Sequence, residues 1–278
     1  MKYIFKISML VVVTLVFAMN SCVEPDDLIT SDAKEGGLVI PPANLLLKAG
    51  AGQSFDIKVE IPMGPGIESL ELTKSYNQGD TLTSNTVVLQ TISVASANAA
   101  DTDFVSFSVD YASLKDGLLI DGNPMPADEL DLGIGDRWTI VYTSVMADGR
   151  RVLNNATTVI AVSNKYAGLY HVTGVFNHPT AGPRDIDEDK FLAPLSGTEC
   201  WTTVGDLGAG YEMIITFDPA TNDLTVRPGA NYALGSDVAI IPGTTNKYNP
   251  DDGSFELHYQ YSGSGGMRVM DEYYTFIE

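Results

Sequence analysis

The chain has 278 residues, with 16 basic and 36 acidic side chains and a formal net charge of −20. No Lys/Arg cluster interrupts that acidity, so nucleic acids and other polyanions would be repelled and are excluded as partners. Two cysteines, Cys22 and Cys200, are too few for a disulfide framework, so the fold must rest on apolar cores.

The chain opens with MKYIFKISMLVVVTLVFAMNSC. Lys2 and Lys6 give a cationic start, and residues 7–19 are an almost uninterrupted apolar run of 13 residues. A bilayer-spanning helix takes about 20 apolar residues. The shorter run, with its small-residue exit, reads as a secretory signal. Met19-Asn20-Ser21-Cys22 resembles the relaxed lipobox of Bacteroidetes lipoproteins, in which a Ser-Cys pair ends the signal. The resemblance implies cleavage before Cys22, an acylated N-terminal cysteine and attachment to the outer membrane. Each buried methylene contributes about 0.8 kcal/mol, and two or more acyl chains hold a protein stably. Val23-Glu24-Pro25-Asp26-Asp27 resembles the acidic tether that sends such lipoproteins to the outer face. Residues 1–21 are therefore expected to be a signal peptide and 22–36 an acidic flexible tether.

From 37 to 164 the dominant period is two, the mark of half-buried strands. In SFDIKVEI, Phe55, Ile57, Val59 and Ile61 share one face, and Asp56, Lys58 and Glu60 take the other. Leu70, Leu72 and Tyr76 alternate likewise, as do Val105, Phe107 and Val109, and then Trp138, Ile140 and Tyr142. Trp138 is expected to anchor the core. Asp148-Gly149 between two strand-like runs predicts a hairpin, and short turns are expected near Ala112–Lys115 and Ala127–Leu130. Pro41-Pro42, Pro62/Pro65 and Pro124/Pro126 exclude central strands nearby. About seven strands predict an immunoglobulin-like β-sandwich, without the Cys-Trp-Cys pattern of antibody domains.

Residues 165–278 predict a second antiparallel β domain, a small barrel or a sandwich. Tyr170, Val172, Gly174 and Phe176 alternate up to His178-Pro179. The stretch TAGPRDIDEDK reads as an irregular polar loop. Strands are expected around Trp201–Val204, Tyr211–Phe217 and Leu224–Arg227, with DPATN as the turn between the last two. Phe255, Leu257, Tyr259 and Tyr261 mark the most regular strand, and a last one runs over 267–277.

Signals for chemistry are sparse. The sequence has no Gly-x-Ser-x-Gly elbow, P-loop or dinucleotide fingerprint. His171, His178 and His258 lack metal-ligand spacing. Asp185, Asp187 and Asp189 begin like a calcium loop, but Lys190 stands where that loop needs Gly and Ser196 where it needs Glu. No cofactor or metal is expected, and the three carboxylates read as a solvated acidic loop. Cys200 has no neighbouring His or Lys to lower its pKa and reads as a small buried hydrophobe. Trp201, Tyr211 and Tyr248 are the candidates for stacking on a sugar face, although large aromatics serve the core first.

Gly174-Val-Phe-Asn-His-Pro, Gly182-Pro-Arg184, Val204-Gly-Asp-Leu-Gly208 and Phe255-x-Leu-x-Tyr259 with Arg268 resemble a domain of unknown function in Bacteroides surface lipoproteins. Such proteins are similar to those encoded beside Sus-like importers, which pair a TonB-dependent barrel with a lipoprotein lid. The resemblance covers most of the chain after Cys22 and implies no established chemistry. It leads to the expectation of a non-catalytic surface lipoprotein that captures oligosaccharide for such an importer. A structural subunit of the importer, an oligopeptide-binding variant and, last, a hydrolase are the alternatives.

Overall fold

The structure is a computed structural model. It describes residues 36–277 apart from 65, 95–101, 206, 208–210, 231–236 and 264. The expected signal peptide, Cys22 and the tether up to 35 lie outside the described residues.

Alternation writes the first set of strands directly: β1 (Asn44–Ala49), β2 (Ser54–Ile61), β3 (Ile67–Gln78), β4 (Leu82–Thr83), β5 (Val87–Ser93), β6 (Asp103–Asp110), β7 (Leu119–Ile120), β8 (Asn123–Pro124), β9 (Arg137–Met146) and β10 (Arg151–Asn164). One sheet runs β1-β10-β9-β3-β4, with β5 also on β3, and β1 joins β10 in parallel. Strands β2 and β6 pair separately. The inward residues of both sheets, among them Ile57, Val59, Leu70, Leu72, Phe107, Ile140 and Ile160, form one core. Trp138 is fully buried there, its ring 4.8 Å from Tyr76 and 6.1 Å from Tyr111. The hairpin at Asp148-Gly149 joins β9 to β10, with Gly149 at φ +83°, a conformation glycine adopts at no steric cost. The short helix α1 (Tyr111–Lys115) starts from a reciprocal capping box between Asp110 and Ser113, which satisfies two otherwise orphan backbone donors. Lys74 continues the inward phase of β3. Burial pulls its pKa down, and its ammonium donates to the Ser113 carbonyl.

The second set is β11 (Gly168–His178), β12 (Gly182–Pro194), β13 (Glu199–Thr203), β14 (Glu212–Phe217), β15 (Leu224–Pro228), β16 (Ala239–Ile240), β17 (Phe255–Gly263) and β18 (Gly266–Phe276). They order as β15-β14-β13-β12-β11-β18-β17-β16, all antiparallel. The sheet curls into a nearly closed barrel, which settles the expectation of barrel or sandwich. The segment 246–248 clips its open seam: Leu224 N donates to Asn246 O at 3.0 Å, and Tyr248 N donates to Asn222 O at 2.9 Å. An eight-stranded barrel has an interior that side chains can fill. Tyr170, Met213, Ile215, Phe217, Phe255, Leu257 and Tyr274 do so here. Gly174 lets β11 press onto β18, since a Cβ there would stand 2.0 Å from the Asp271 carbonyl oxygen.

One expectation fails in this region. TAGPRDIDEDK is not an irregular loop, because residues 182–194 form the long strand β12, paired with β11 throughout. Its inward positions include Ile186, Lys190 and Leu192, all buried, while Asp185, Asp187 and Asp189 point outward. Charged residues at inward positions hide the alternation from the sequence.

Residues 37–278 make one compact unit containing both cores. The first core ends at Val162 and the second begins at Tyr166, so the cores meet at Asn164. Its side chain is fully buried. Oδ1 accepts from Tyr166 N at 3.1 Å and Ala167 N at 2.8 Å, and Nδ2 donates to Ser196 O at 2.6 Å and Glu199 O at 3.0 Å. The first set of strands therefore abuts the barrel end that carries the 194–199 and 218–223 connections. The distal end carries the 178–182 turn, the C-terminal ends of β13, β15 and β17 and the start of β18.

Candidate functional site

Two places in the barrel carry chemistry: its outer wall at β13 and its interior between β12 and β18. On β13, Cys200 and Thr202 take the inward phase and are buried, which turns Trp201 outward. Trp201 is 38% exposed. It pairs across the ladder with Ile214 of β14, and the two line a groove of about 210 Å³ with Leu195, Glu212, Gly229 and Ala230. An indole face beside aliphatic side chains, with a carboxylate at the rim, is suited to an apolar sugar face whose edges carry hydroxyls. Of the other two aromatic candidates, Tyr211 is half-buried and packs against the barrel core. Tyr248 serves the core itself: its ring lies edge-on to Tyr166 at 4.9 Å and to Phe217 at 5.7 Å.

The interior holds a polar cluster that the sequence reading missed. Lys190 Nζ lies 2.7 Å from Glu272 Oε1, with side-chain exposures of 2% and 0%. Tyr274 donates its hydroxyl to Glu272 Oε2 at 2.7 Å. Tyr259 also hydrogen-bonds Glu272, and its hydroxyl accepts from Gly205 N at 2.8 Å. Burial, followed by the charge of Glu272, pushes both phenols well above their ordinary value, so both stay protonated. Glu272 is thus held as a fixed carboxylate among three donors. The only sequence signal for it was the even phase shared by Ile186, Glu188, Lys190 and Leu192.

The remaining candidates do not converge. Asp187 and Asp189 flank His171 on the outer wall at 3.3 and 2.9 Å, and Asp185 extends the same row. Among the described residues no group of three or more His, Cys, Asp or Glu is arranged to hold a metal. Cys200 is fully buried, donates to Asn164 Oδ1 at 3.4 Å and has its thiol pushed up to about 12 by burial. That is the environment of an inert core thiol. A larger depression of about 530 Å³ lies by Gly52, Asp110 and Glu129. Its aromatic, Tyr111, already donates its hydroxyl to Pro126 O at 2.8 Å.

Comparison with known proteins adds one family relation. A family model for a C-terminal domain, named after a Bacteroides thetaiotaomicron protein, matches residues 154–276. The match runs from within β10 through the whole barrel and supports a Bacteroides-type family of unknown function for that part of the chain. No curated protein matches the chain. Among solved structures, the sporulation control protein Spo0M from Bacillus subtilis is similar at 11% identity, covering 70% of this chain and 79% of that one. Its TM-score of 0.29 is too low to bear on fold or function.

Proposed function

We propose that this chain is a lipid-anchored protein of the outer-membrane surface, a non-catalytic accessory of a Sus-like importer, and that it captures oligosaccharide on the barrel wall at Trp201. The exposed indole beside the Leu195–Ile214 groove carries the reading. The lipobox-like ending at Cys22 supports the anchor, and the Bacteroides-type family match supports the setting. The order β1-β10-β9-β3 facing β2-β6 supports an immunoglobulin-like first module that would hold the barrel off the membrane. On the wall, the indole would stack on the sugar ring while the Glu212 carboxylate accepts from a hydroxyl.

Trp201→Ala is expected to weaken glycan retention in affinity electrophoresis by about tenfold, the effect of one lost aromatic stack. The circular dichroism spectrum should stay unchanged, because Trp201 faces away from the core. Retention equal to the parent protein would overturn the site. Independently, Cys22→Ala is expected to move the protein from the membrane pellet to the soluble fraction. Continued sedimentation would refute acylation as the anchor.

A further inference from the structure

The barrel wall carries a second exposed aromatic, three strands round from Trp201. Strands β11, β18 and β17 are consecutive in the sheet. On β18, Met270, Glu272 and Tyr274 face inward and are buried, so Asp271, Tyr273 and Thr275 face outward. Strand register then writes a lattice on the outer surface. Tyr273 stands between Thr173 of β11 and Glu256 of β17, and Asp271 stands between Val175 and His258. These six residues, with Gly174 and Glu272, line a depression of about 330 Å³.

Tyr273 is 43% exposed. The solvated face of an antiparallel sheet ordinarily carries polar residues, so an aromatic there leaves apolar area in water that a ligand could cover. Its neighbours are held in place. His258 Nδ1 donates to Asp271 Oδ1 at 2.8 Å, because a carboxylate only accepts. Nε2 of the same ring lies 3.8 Å from Glu256 Oε2. The His258 backbone N–H is fixed to Asn246 Oδ1 at 2.6 Å. The imidazole therefore stands between the two carboxylates. Gly174 draws β11 against β18, which brings Thr173 and Val175 up to the other side of the tyrosine. Side chains set on paired strands keep such a constellation in register.

We propose that this lattice binds an uncharged sugar ring, stacked on Tyr273, whose edge hydroxyls donate to Glu256 and Asp271 and accept from Thr173. An aromatic floor with a few polar groups at its edge is the usual composition of a small-ligand site, and the depression falls in the usual size range. Glu256 and Asp271 repel uronic and sulfated sugars. A cationic chain is the poorer match, since the imidazole already lies between the carboxylates. The site uses no residue of the Trp201 groove. Three strands apart in an eight-stranded barrel, the two aromatics look in different directions, so either reading can fail without the other. Together they would hold a long glycan more tightly than one site does.

The test uses full-length Trp201→Ala protein in micelles of a sugar-free detergent, so that the groove at β13 is disabled. Maltohexaose, xylohexaose and mannohexaose are offered one at a time, with hexalysine as the cationic control, and saturation-transfer NMR reads contact with the protein. Transfer to the ring protons of at least one hexasaccharide is the expected result. Adding Tyr273→Ala should weaken that binding about tenfold. Tyr273→Phe should preserve it, because the ring remains. No transfer to any of the three sugars overturns the proposal. So does transfer that survives Tyr273→Ala, or Tyr273-dependent binding of hexalysine alone. Should the alanine variant not fold, Glu256→Ala takes its place, and sugar binding unchanged by it overturns the proposal equally. Glycan retention by Tyr273→Ala protein with Trp201 intact reports on the groove at β13 alone.

Discussion

Replacing Lys190 by alanine is expected to cost the barrel about 3–5 kcal/mol, the usual penalty for leaving half of a buried ion pair behind. The measurement is the shift in the urea or guanidinium midpoint at unchanged slope. The Glu272 side chain has no exposed surface, and Lys190 Nζ at 2.7 Å is its cationic neighbour. Tyr274 and Tyr259 would still donate to it, but neutral donors do not balance a charge that water cannot reach. The opposite truncation should be milder. In Glu272→Gln the amide oxygen keeps an acceptor for Tyr274, and the Lys190 ammonium retains Glu188, 3.5 Å away. Lys190→Met combined with Glu272→Gln removes both charges at nearly constant volume and should recover most of the loss. A Lys190→Ala protein within about 1 kcal/mol of the parent would mean that the pair is hydrated, as surface pairs are.

The same cluster shows where the fold was legible in the sequence and where it was not. Strand β17 announced itself because Phe255, Leu257, Tyr259 and Tyr261 all face inward and all are apolar or aromatic. Strand β12 has the same period, but Arg184 and Lys190 occupy its inward phase, so it read as a polar loop. Sequence rules tend to fail where a chain departs from simple packing, and here one departure, Arg184, lies near the distal start of β12 and the other, Lys190, pairs with the buried Glu272. Trp201 could have been turned outward from the sequence alone, since Cys200 and Thr202 are small enough to take the inward phase of β13. Two features had no local signal at all. The central pairing of the barrel sheet joins β11 to β18, about a hundred residues later in the chain. The contact of His178 with Arg268 joins residues 90 positions apart, which no spacing encodes.

Asn164→Ala is expected to lower stability by about 3 kcal/mol, and to do so by separating the two cores. The alanine would strand the Tyr166 N–H and the Ser196 carbonyl in a buried junction, while the Glu199 carbonyl would lose one donor and keep Leu195 N at 2.8 Å. Each such group costs about 1–3 kcal/mol, partly relieved by local relaxation. The Ala167 N–H keeps a long bond of 3.4 Å to the Asn164 carbonyl. Asn164→Asp distinguishes two roles. If the side chain only ordered the turn after β10, aspartate would substitute, because its oxygen still accepts from Tyr166 N and Ala167 N. Across the junction, however, it would set a carboxylate oxygen against the carbonyls that now receive Nδ2, at 2.6 and 3.0 Å. The aspartate variant should therefore be no more stable than the alanine one, and both should replace one cooperative melting transition with two. A fully stable Asn164→Asp protein, or a single transition in both variants, would show that the cores are coupled by other contacts. Lys165 N to Ala49 O, and the close approach of Gly197 to Leu130 O, would then be the ones to change next.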